Sequence, residues 1–369
     1  MRRLVLPFAL VALLVAALPA IAAGTRAPLG EDGRLTLLLI GSDLRSYPPR
    51  SERTDTIMIV SIEPLSGATT VASLPRDVEG LPLPGPKAPV AARVAEWRED
   101  RYDGKVNALF GTIVARIRAR DQISYEAAVT RALTPLRRTF AYAIGVEIDG
   151  VAIAAFGAMR ALAREIGGEI DVELPAGLRF RDCSATLAAP DGCVDYRPAV
   201  PKGATSVAVR IPAGEWLGFA RSRKDDSDYA RAARGQLLLA GIVRRLRAEG
   251  PKAAIEVLAS IAMTRGLLRT DLSLFAAPDL WAIMSRADLA TATRTVFGPS
   301  RFAGEGAQRY QVLLKPEPMR AWMSANLPPA AQAGAWPLPF VGIPSLPLVF
   351  YADERAPFCP YRSPRPCLR

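Results

Sequence analysis

The chain of 369 residues contains no histidine, and that absence removes whole classes of chemistry. A histidine-based catalytic triad, a histidine-ligated zinc centre and an imidazole acid or base are all excluded. Cysteine is scarce, and the four present fall into two close pairs, Cys183 with Cys193 and Cys359 with Cys367. Neither pair has the C-x2-C spacing of a zinc knuckle, so a four-thiolate zinc site ranks below two local disulfides; two buried free pairs are the remaining alternative. Acidic residues are in deficit, 36 Asp and Glu against 47 Lys and Arg, and the formal charge of +11 holds steadily across neutral pH because no histidine titrates there. An anionic partner follows, and nucleic acid, anionic lipid and phosphorylated substrates all satisfy that balance. With 50% of its residues apolar, the chain can bury a substantial core as one large domain with accessory parts or as two domains.

Met1-Arg2-Arg3 precedes an apolar stretch from Leu4 to Ala23, the positive-then-apolar order of an export signal. Pro19 followed by Ala20-Ile21-Ala22-Ala23 looks like a cleavage site, while the apolar length approaches that of a spanning helix, so removal and retention as a membrane anchor both stay open. A buried core helix does not suit a segment without a polar face. The sequence therefore predicts export to the outer face of the cytoplasmic membrane, the periplasm or the extracellular space, where oxidising conditions favour the disulfide reading. Residues 24–33 read as a linker, 34–250 as the main domain, 251–327 as a helical C-terminal extension and 328–369, with ten prolines, as an irregular tail.

Within the main domain, Leu35 to Gly41 is a compact apolar run that suits a buried strand. Thr56–Glu63 and Thr69–Leu74 are rich in β-branched residues and are separated by Pro64-Leu65-Ser66-Gly67, which predicts a hairpin. In a hairpin the start of the first strand lies beside the end of the second, so Arg53 and Asp55 approach Arg76, and the loop 42–55 brings Asp43 to the same edge. Beyond a Pro-rich loop at 81–90, helical patterns run from Lys105 to about Thr139 and from Ala155 to Ile166, where Gly167-Gly168 stops the helix. Strands follow at 170–174 and 206–210, around an irregular excursion holding the first cysteine pair. The alternation predicts an α/β fold, a mixed sheet sandwiched between helices.

Chemistry concentrates at two places. Asp43 and Asp55 can hold a hard dication such as magnesium, which takes one or two carboxylates and leaves positions for substrate phosphates and water; solvated or turn-capping aspartates are the plain alternative. Arg53, Arg76 and Lys105 surround them, and converging guanidinium groups favour a multiply charged anion over isolated structural salt bridges. The second place runs from Arg221-Ser222-Arg223 through Asp228-Tyr229-Ala230-Arg231 to Arg234-Gly235-Gln236. Ser and Asp residues before an Ala- and Leu-rich run mark a helix N-terminus, where free backbone N–H groups attract anions, and Arg231 and Arg234 share a face of its first turns. A solvated charge run is the bland account of the same residues.

Taken in order, Leu38-Leu39-Ile40-Gly41-Ser42-Asp43, Arg53-Thr54-Asp55-Thr56, Ser73-Leu74-Pro75-Arg76-Asp77, Lys105-Val106-Asn107-Ala108, Gly167-Gly168 and the run from Arg221 to Arg231 resemble the LytR-CpsA-Psr family. The resemblance covers roughly 34–250, with weaker similarity around Arg269-Thr270-Asp271-Leu272. It implies an α/β/α catalytic domain that binds a polyprenyl-pyrophosphate-linked glycan, its lipid in an apolar groove. Asp43 and Asp55 would hold magnesium, and Arg53, Arg76, Lys105, Arg221, Arg223, Arg231, Arg234 and Gln236 would surround the phosphates. Asp228 would orient the arginines or assist proton removal from the acceptor, with Arg231 beside it in the catalytic pair. Where the family commonly has glutamine directly after the position of Arg234, this chain has Gly235, and only Gln236 matches.

The expected reaction is phosphoryl transfer to a hydroxyl of peptidoglycan or another wall acceptor, with polyprenyl phosphate as leaving group. A pyrophosphatase using water as acceptor is the rival enzyme. A lipid-phosphate-binding regulatory protein of the envelope is the non-enzymatic rival, and nucleic acid is not an expected partner of an exported chain.

Overall fold

The computed structural model describes residue 30 and residues 32–44, 52–175, 180–182, 194–196, 199, 201–222, 227–264, 266–272, 277–299, 301–306 and 311–331. The stretch Leu4–Ala23, Arg223 and all four cysteines lie outside the described residues. Among those described, no helix is long and apolar enough to cross a membrane.

The central sheet begins with β1 (Leu35–Ser42), β2 (Thr54–Ile62) and β3 (Thr69–Ser73), joined as an antiparallel meander. The β2–β3 turn is fixed locally. The Glu63 carboxylate accepts from the backbone N–H of Leu65 at 2.9 Å and of Ser66 at 2.6 Å, and Gly67 supplies a φ of 78° that a side chain would resist. A Cβ there would also strike the carbonyl of Arg286.

Two helices follow, α1 (Leu109–Asp121) and α2 (Tyr125–Ile144). Helix α2 starts at Ser124, whose side chain accepts from Ala127 N–H, and stops at Gly145 in the left-handed conformation, the usual pairing of N-cap hydroxyl and C-terminal glycine. Then come β4 (Gly150–Ala155) and α3 (Phe156–Ile166). A separate antiparallel pair is formed by β5 (Glu169–Pro175) and β6 (Ser206–Pro212). After it lie α4 (Trp216–Arg221), α5 (Asp228–Glu249) and α6 (Pro251–Met263), then β7 (Leu268–Thr270), α7 (Ala277–Met284), β8 (Thr293–Val296) and α8 (Pro316–Asn326).

The six-stranded sheet has the order β7-β4-β1-β2-β3-β8, with β4 parallel to β1 and β8 parallel to β3. Both faces are covered, which is why β1 reads as a continuous apolar run instead of an alternating one. Leu38 and Ile40 of β1 join Ile57 and Ile59 of β2 in a core with Phe110, Ile113, Leu133 and Phe140 of α1 and α2. Leu35 and Leu37 face the other way, with Met58 and Val60, against Ala240 and Val243 of α5 and Ile283 of α7. A third cluster packs β5 and β6 on α4 and α5 around the fully buried Trp216 and Phe219.

The mixed α/β/α architecture is the one the sequence predicts. Residues 251–327 differ from expectation: they do not stand apart as a helical extension, because β7 and β8 supply both edges of the central sheet. Strands of three and four residues carry no readable alternation, which explains why the pattern looks only helical and irregular there.

Candidate functional site

One rim of the sheet collects the ends of four strands. The register sets Ser42 beside Ala155 on one side and beside Thr54 on the other, while Met58 of β2 faces Ser73 at the end of β3. Between Gly41 and Ser42 the pairing slips from Thr56 to Thr54, so Asp55 is the extra residue of a bulge, the device by which a strand end re-aims a side chain. Across the same gap Asp43 N–H donates to Arg53 O at 3.0 Å, and Arg53 N–H donates to Asp43 Oδ1 at 2.7 Å. The Lys105–Ala108 turn is tied beneath the rim by Asn107 N–H donating to Arg76 O at 3.1 Å and Thr54 Oγ1 donating to Asn107 O at 3.2 Å. Helix α5 reaches it from the other direction, through Arg231 Nη2 donating to the backbone oxygen of Asp55 at 2.9 Å.

The side chains gathered there alternate in charge. Lys105 Nζ lies 3.7 Å from Asp77 Oδ1, and Asp77 Oδ2 lies 3.6 Å from Arg76 Nε. Arg76 Nη1 donates to Asp55 Oδ1 at 2.6 Å, while its Nε stands 3.7 Å from Asp228 Oδ1. Asp228 in turn pairs with Arg231 Nη2 at 3.3 Å. Three cations and three carboxylates thus form one connected chain at the mouth of α5, whose N-cap Ser227 accepts from Ala230 N–H. Arg76 Nε is buried and has no hydrogen-bond partner among the described residues, and Asn107 Oδ1 just below it is in the same condition.

The electrostatics follow from the crowding. Burial, and then the hydrogen bond and charge shared with Asp228, push the Asp77 carboxyl above the ordinary carboxylate range, against the pull of Arg76 and Lys105. Two carboxyls that meet in this way hold a proton more readily than either alone. Tyr229 is raised by burial and by the same two carboxylates.

The remaining expected residues divide. Arg53 is exposed at the rim. Arg221 is exposed too, with its guanidinium carbon 4.4 Å from the ring centroid of Phe156; Phe156 directly follows β4, so Arg221 belongs to this end of the sheet. Arg234 and Gln236 do not reach the rim as a substrate-binding pair would. Arg234 is fully buried, donating through Nε to Phe219 O at 3.0 Å and through Nη2 to Ser222 O, so it ties down the end of α4. Gln236 is 3% exposed, and its amide donates to Ser73 Oγ at 2.9 Å and Thr295 O at 2.7 Å, fastening β3 to β8. Arg234 keeps the face of Arg231 but lies about 4.5 Å further along α5, against α4, while five steps of about 100° turn Gln236 toward β3 and β8. Gly235 packs a Cβ's breadth from Met58 of β2, on the sheet side of α5.

Three residues escaped the sequence reading as participants. Asp77 was visible only as a salt-bridge partner next to Arg76, yet it lies between Arg76, Lys105 and Asp228. Glu52 and Arg269 form an ion pair with both side chains 3% exposed. Arg269 showed in the sequence only within the weakly similar stretch Arg269-Thr270-Asp271-Leu272, next to Leu267-Leu268, and Glu52 gave no sign.

The donor set fits the magnesium implied by the resemblance. Among the described residues no group of three or more acidic or thiol side chains could hold a metal, but a hard dication binding beside phosphates needs only one or two carboxylates. Asp43 and Asp55 supply carboxylate oxygens at the bulge, and Arg76, bonded to Asp55 through Nη1, suits an anion sharing the ion's charge.

Fold and rim together define an α/β/α protein with its charged groups gathered at one end of a mixed sheet. The chain belongs to the LytR-CpsA-Psr family, a family of cell-wall glycopolymer transferases: the family model, described as LytR_cpsA_psr family, matches residues 25–296. Among solved structures the fold is similar to that of TagV from B. subtilis, with 16% identity and a TM-score of 0.52 over 80% of this chain and 98% of that one. It is similar also to protein gbs0355 from Streptococcus agalactiae, with 17% identity and a TM-score of 0.53 over 82% and 91%. A structure of TagT bound to LIIa-WTA matches with 18% identity and a TM-score of 0.48 over 82% and 94%. No curated protein matches the chain.

Proposed function

We propose that this protein transfers a glycan phosphate from a polyprenyl-pyrophosphate carrier to a hydroxyl of a cell-wall acceptor, peptidoglycan first among them, at the outer face of the cytoplasmic membrane. Family membership supports the glycopolymer part of this reading. The observation that carries the phosphoryl part is the buried, unpartnered Arg76 Nε at the centre of a chain of alternating charges. Among the described residues this N–H makes no hydrogen bond, with carboxylate oxygens of Asp77 and Asp228 no nearer than 3.6 and 3.7 Å; a buried guanidinium N–H in that state is costly, and a phosphate oxygen would satisfy it.

In the reaction the acceptor oxygen forms a bond to the glycan-linked phosphorus, and the bond from that phosphorus to the bridging oxygen of polyprenyl phosphate breaks. Arg76, Arg231, Lys105 and Arg53 neutralise the charge that builds on the phosphate oxygens. The acceptor proton passes to the carboxylate pair of Asp228 and Asp77, whose shared site favours holding one proton. Asp43 and Asp55 would hold magnesium, which when bound would supply Lewis-acid stabilisation of phosphate charge. Asp43 and Asp55 also orient Arg53 and Arg76 through the bonds described above.

The test is incubation of the purified protein with a short-chain lipid-pyrophosphate glycan, with and without cell-wall oligomers. Acceptor-dependent glycan phosphate transfer supports the reading, whereas release of free glycan phosphate at the same rate without acceptor identifies a pyrophosphatase. Asp43→Ala and Asp55→Ala should each lower magnesium-dependent turnover by about a hundredfold while leaving lipid-pyrophosphate binding largely in place. Full activity of the double variant in chelator would remove the metal from the reading.

A further inference from the structure

Resting on that reading, one ion pair outside the rim bears on how the rim is held. Arg269 of β7 donates through Nη1 to Glu52 Oε2 at 2.9 Å and through Nη2 to Oε1, the two-point geometry for which arginine is suited. The carboxylate also accepts from Tyr125 Oη at 3.0 Å, at the start of α2, and from Ser42 Oγ at the end of β1. The arginine's guanidinium carbon lies 5.2 Å from the ring centroid of Phe110 in α1. Three elements therefore meet on one carboxylate, and α1 packs on its arginine partner. Burial alone would push Glu52 up, yet the bonds from Arg269, Ser42 and Tyr125 outweigh it and hold the carboxyl below its ordinary value.

Stability does not account for this arrangement. A buried ion pair is commonly no better for folding than apolar side chains of the same volume, and with its oxygens engaged by four donors Glu52 is not placed as a base or a metal ligand. What distinguishes the pair is its place in the chain. Ser42 immediately precedes Asp43, and Glu52 immediately precedes Arg53. Asp43 and Arg53 are the two residues joined across the rim by paired hydrogen bonds. Leu44 N–H, donating to Ser42 Oγ at 3.1 Å, draws the residue after Asp43 onto the same hydroxyl.

We infer that Glu52 and Arg269 are positioning residues for the transfer reaction: through Ser42 on one side and the Glu52–Arg53 peptide on the other, the buried pair sets the register of Asp43 against Arg53. Edge strand β7 thereby takes part in the site without touching the substrate. Misplacement of reacting groups by as little as an ångström costs orders of magnitude in rate, which gives such a device its use.

The experiment compares the wild type with Glu52→Leu/Arg269→Met and with Ser42→Ala. It measures thermal melting, kcat and KM for glycan transfer, and calorimetric affinity for inorganic pyrophosphate in magnesium. The double variant replaces the pair by apolar volume and is expected to fold while losing about tenfold to a hundredfold in kcat, with KM nearly unchanged and with weaker magnesium-dependent pyrophosphate binding. Ser42→Ala leaves the ion pair intact and removes its link to β1 together with the acceptor of Leu44 N–H; a folded protein with a slightly lower melting temperature and kcat lower by about threefold to tenfold is expected. Wild-type kcat and pyrophosphate affinity in a folded double variant, or in Ser42→Ala, would show the pair to be merely structural. Should the double variant fail to fold, Ser42→Ala decides the question alone. If the wild type transfers no glycan, the proposed reaction fails, and pyrophosphate affinity in the two variants still accepts or rejects the positioning role.

Discussion

Arg231 and Arg234 lie three residues apart on α5, and each has a different task. Arg231 lies in the first turn of the helix, bonded to the Asp55 backbone and paired with Asp228 at the rim. Arg234 is sealed from solvent and bonded to two carbonyls at the end of α4. Both are charged and both are buried at 7% exposure or less, but one sits among the alternating charges of the rim and the other is bonded to main-chain carbonyls behind it. The rim and the frame behind it are made from the same residue types, and what separates them is whether the partners are ionised side chains or backbone.

That division can be broken from the frame side first. Arg234→Ala should destabilise the fold by about 3 kcal/mol or more, because it leaves the Phe219 and Ser222 carbonyls unsatisfied and opens a cavity; urea titration would measure it. Retention of wild-type stability would move Arg234 from the frame to the rim. The opposite end of the sheet offers a second test. Asp149 accepts from the Gly30 and Thr36 backbone N–H groups, both at 2.7 Å, yet burial raises it from 3.8 to about 6 against those bonds. Because the folded-state value lies above the unfolded one, its contribution is fully present below about pH 4 and is lost as pH rises to about 6, by up to about 3 kcal/mol. Stability of Asp149→Asn relative to wild type, followed by melting from pH 4 to 6.5, should show that slope removed; parallel curves would dismiss it.

At the rim, Arg231→Lys keeps the charge but loses the planar contact. Transfer should fall about tenfold to a hundredfold, or about 1.5 to 3 kcal/mol of transition-state stabilisation, with less effect on melting than Arg234→Ala. Lys87, 89% exposed, is the control; equal behaviour of Lys87→Ala and Arg231→Lys would make the rim an ordinary charged surface. The smallest effect belongs to Ser227→Ala, which removes the α5 N-cap at a cost of about 1 kcal/mol, read by thermal melting. It sharpens the comparison by loosening the helix start that Arg231 uses and not the buried turn that holds Arg234.

Much of the rim was legible because a hairpin has only one geometry. Once β2 and β3 are read from Thr56–Glu63 and Thr69–Leu74, Asp55 must face Arg76, and the 2.6 Å ion pair follows. The bulge at Asp55 and the helical phase beyond Arg231 were not legible. Residues 231 and 234 share a helix face by spacing, but that face is divided between β2 and α4, and the division depends on packing that residue spacing does not encode. Glu52 and Arg269 are further from reach, because two single charges 217 residues apart carry no local sign of each other.

The sheet's edges also set a timetable. The four inner strands are complete once Ala155 has appeared, but the strands that cover β4 and β3 end at Thr270 and Val296. At ~5–20 residues per second of synthesis, the intervening chain takes on the order of ten seconds to emerge. Throughout that interval two strands whose backbone is unpaired on one side offer a template on which other chains can add. Shortening the chain before Val296 would leave the β3 edge without its partner strand.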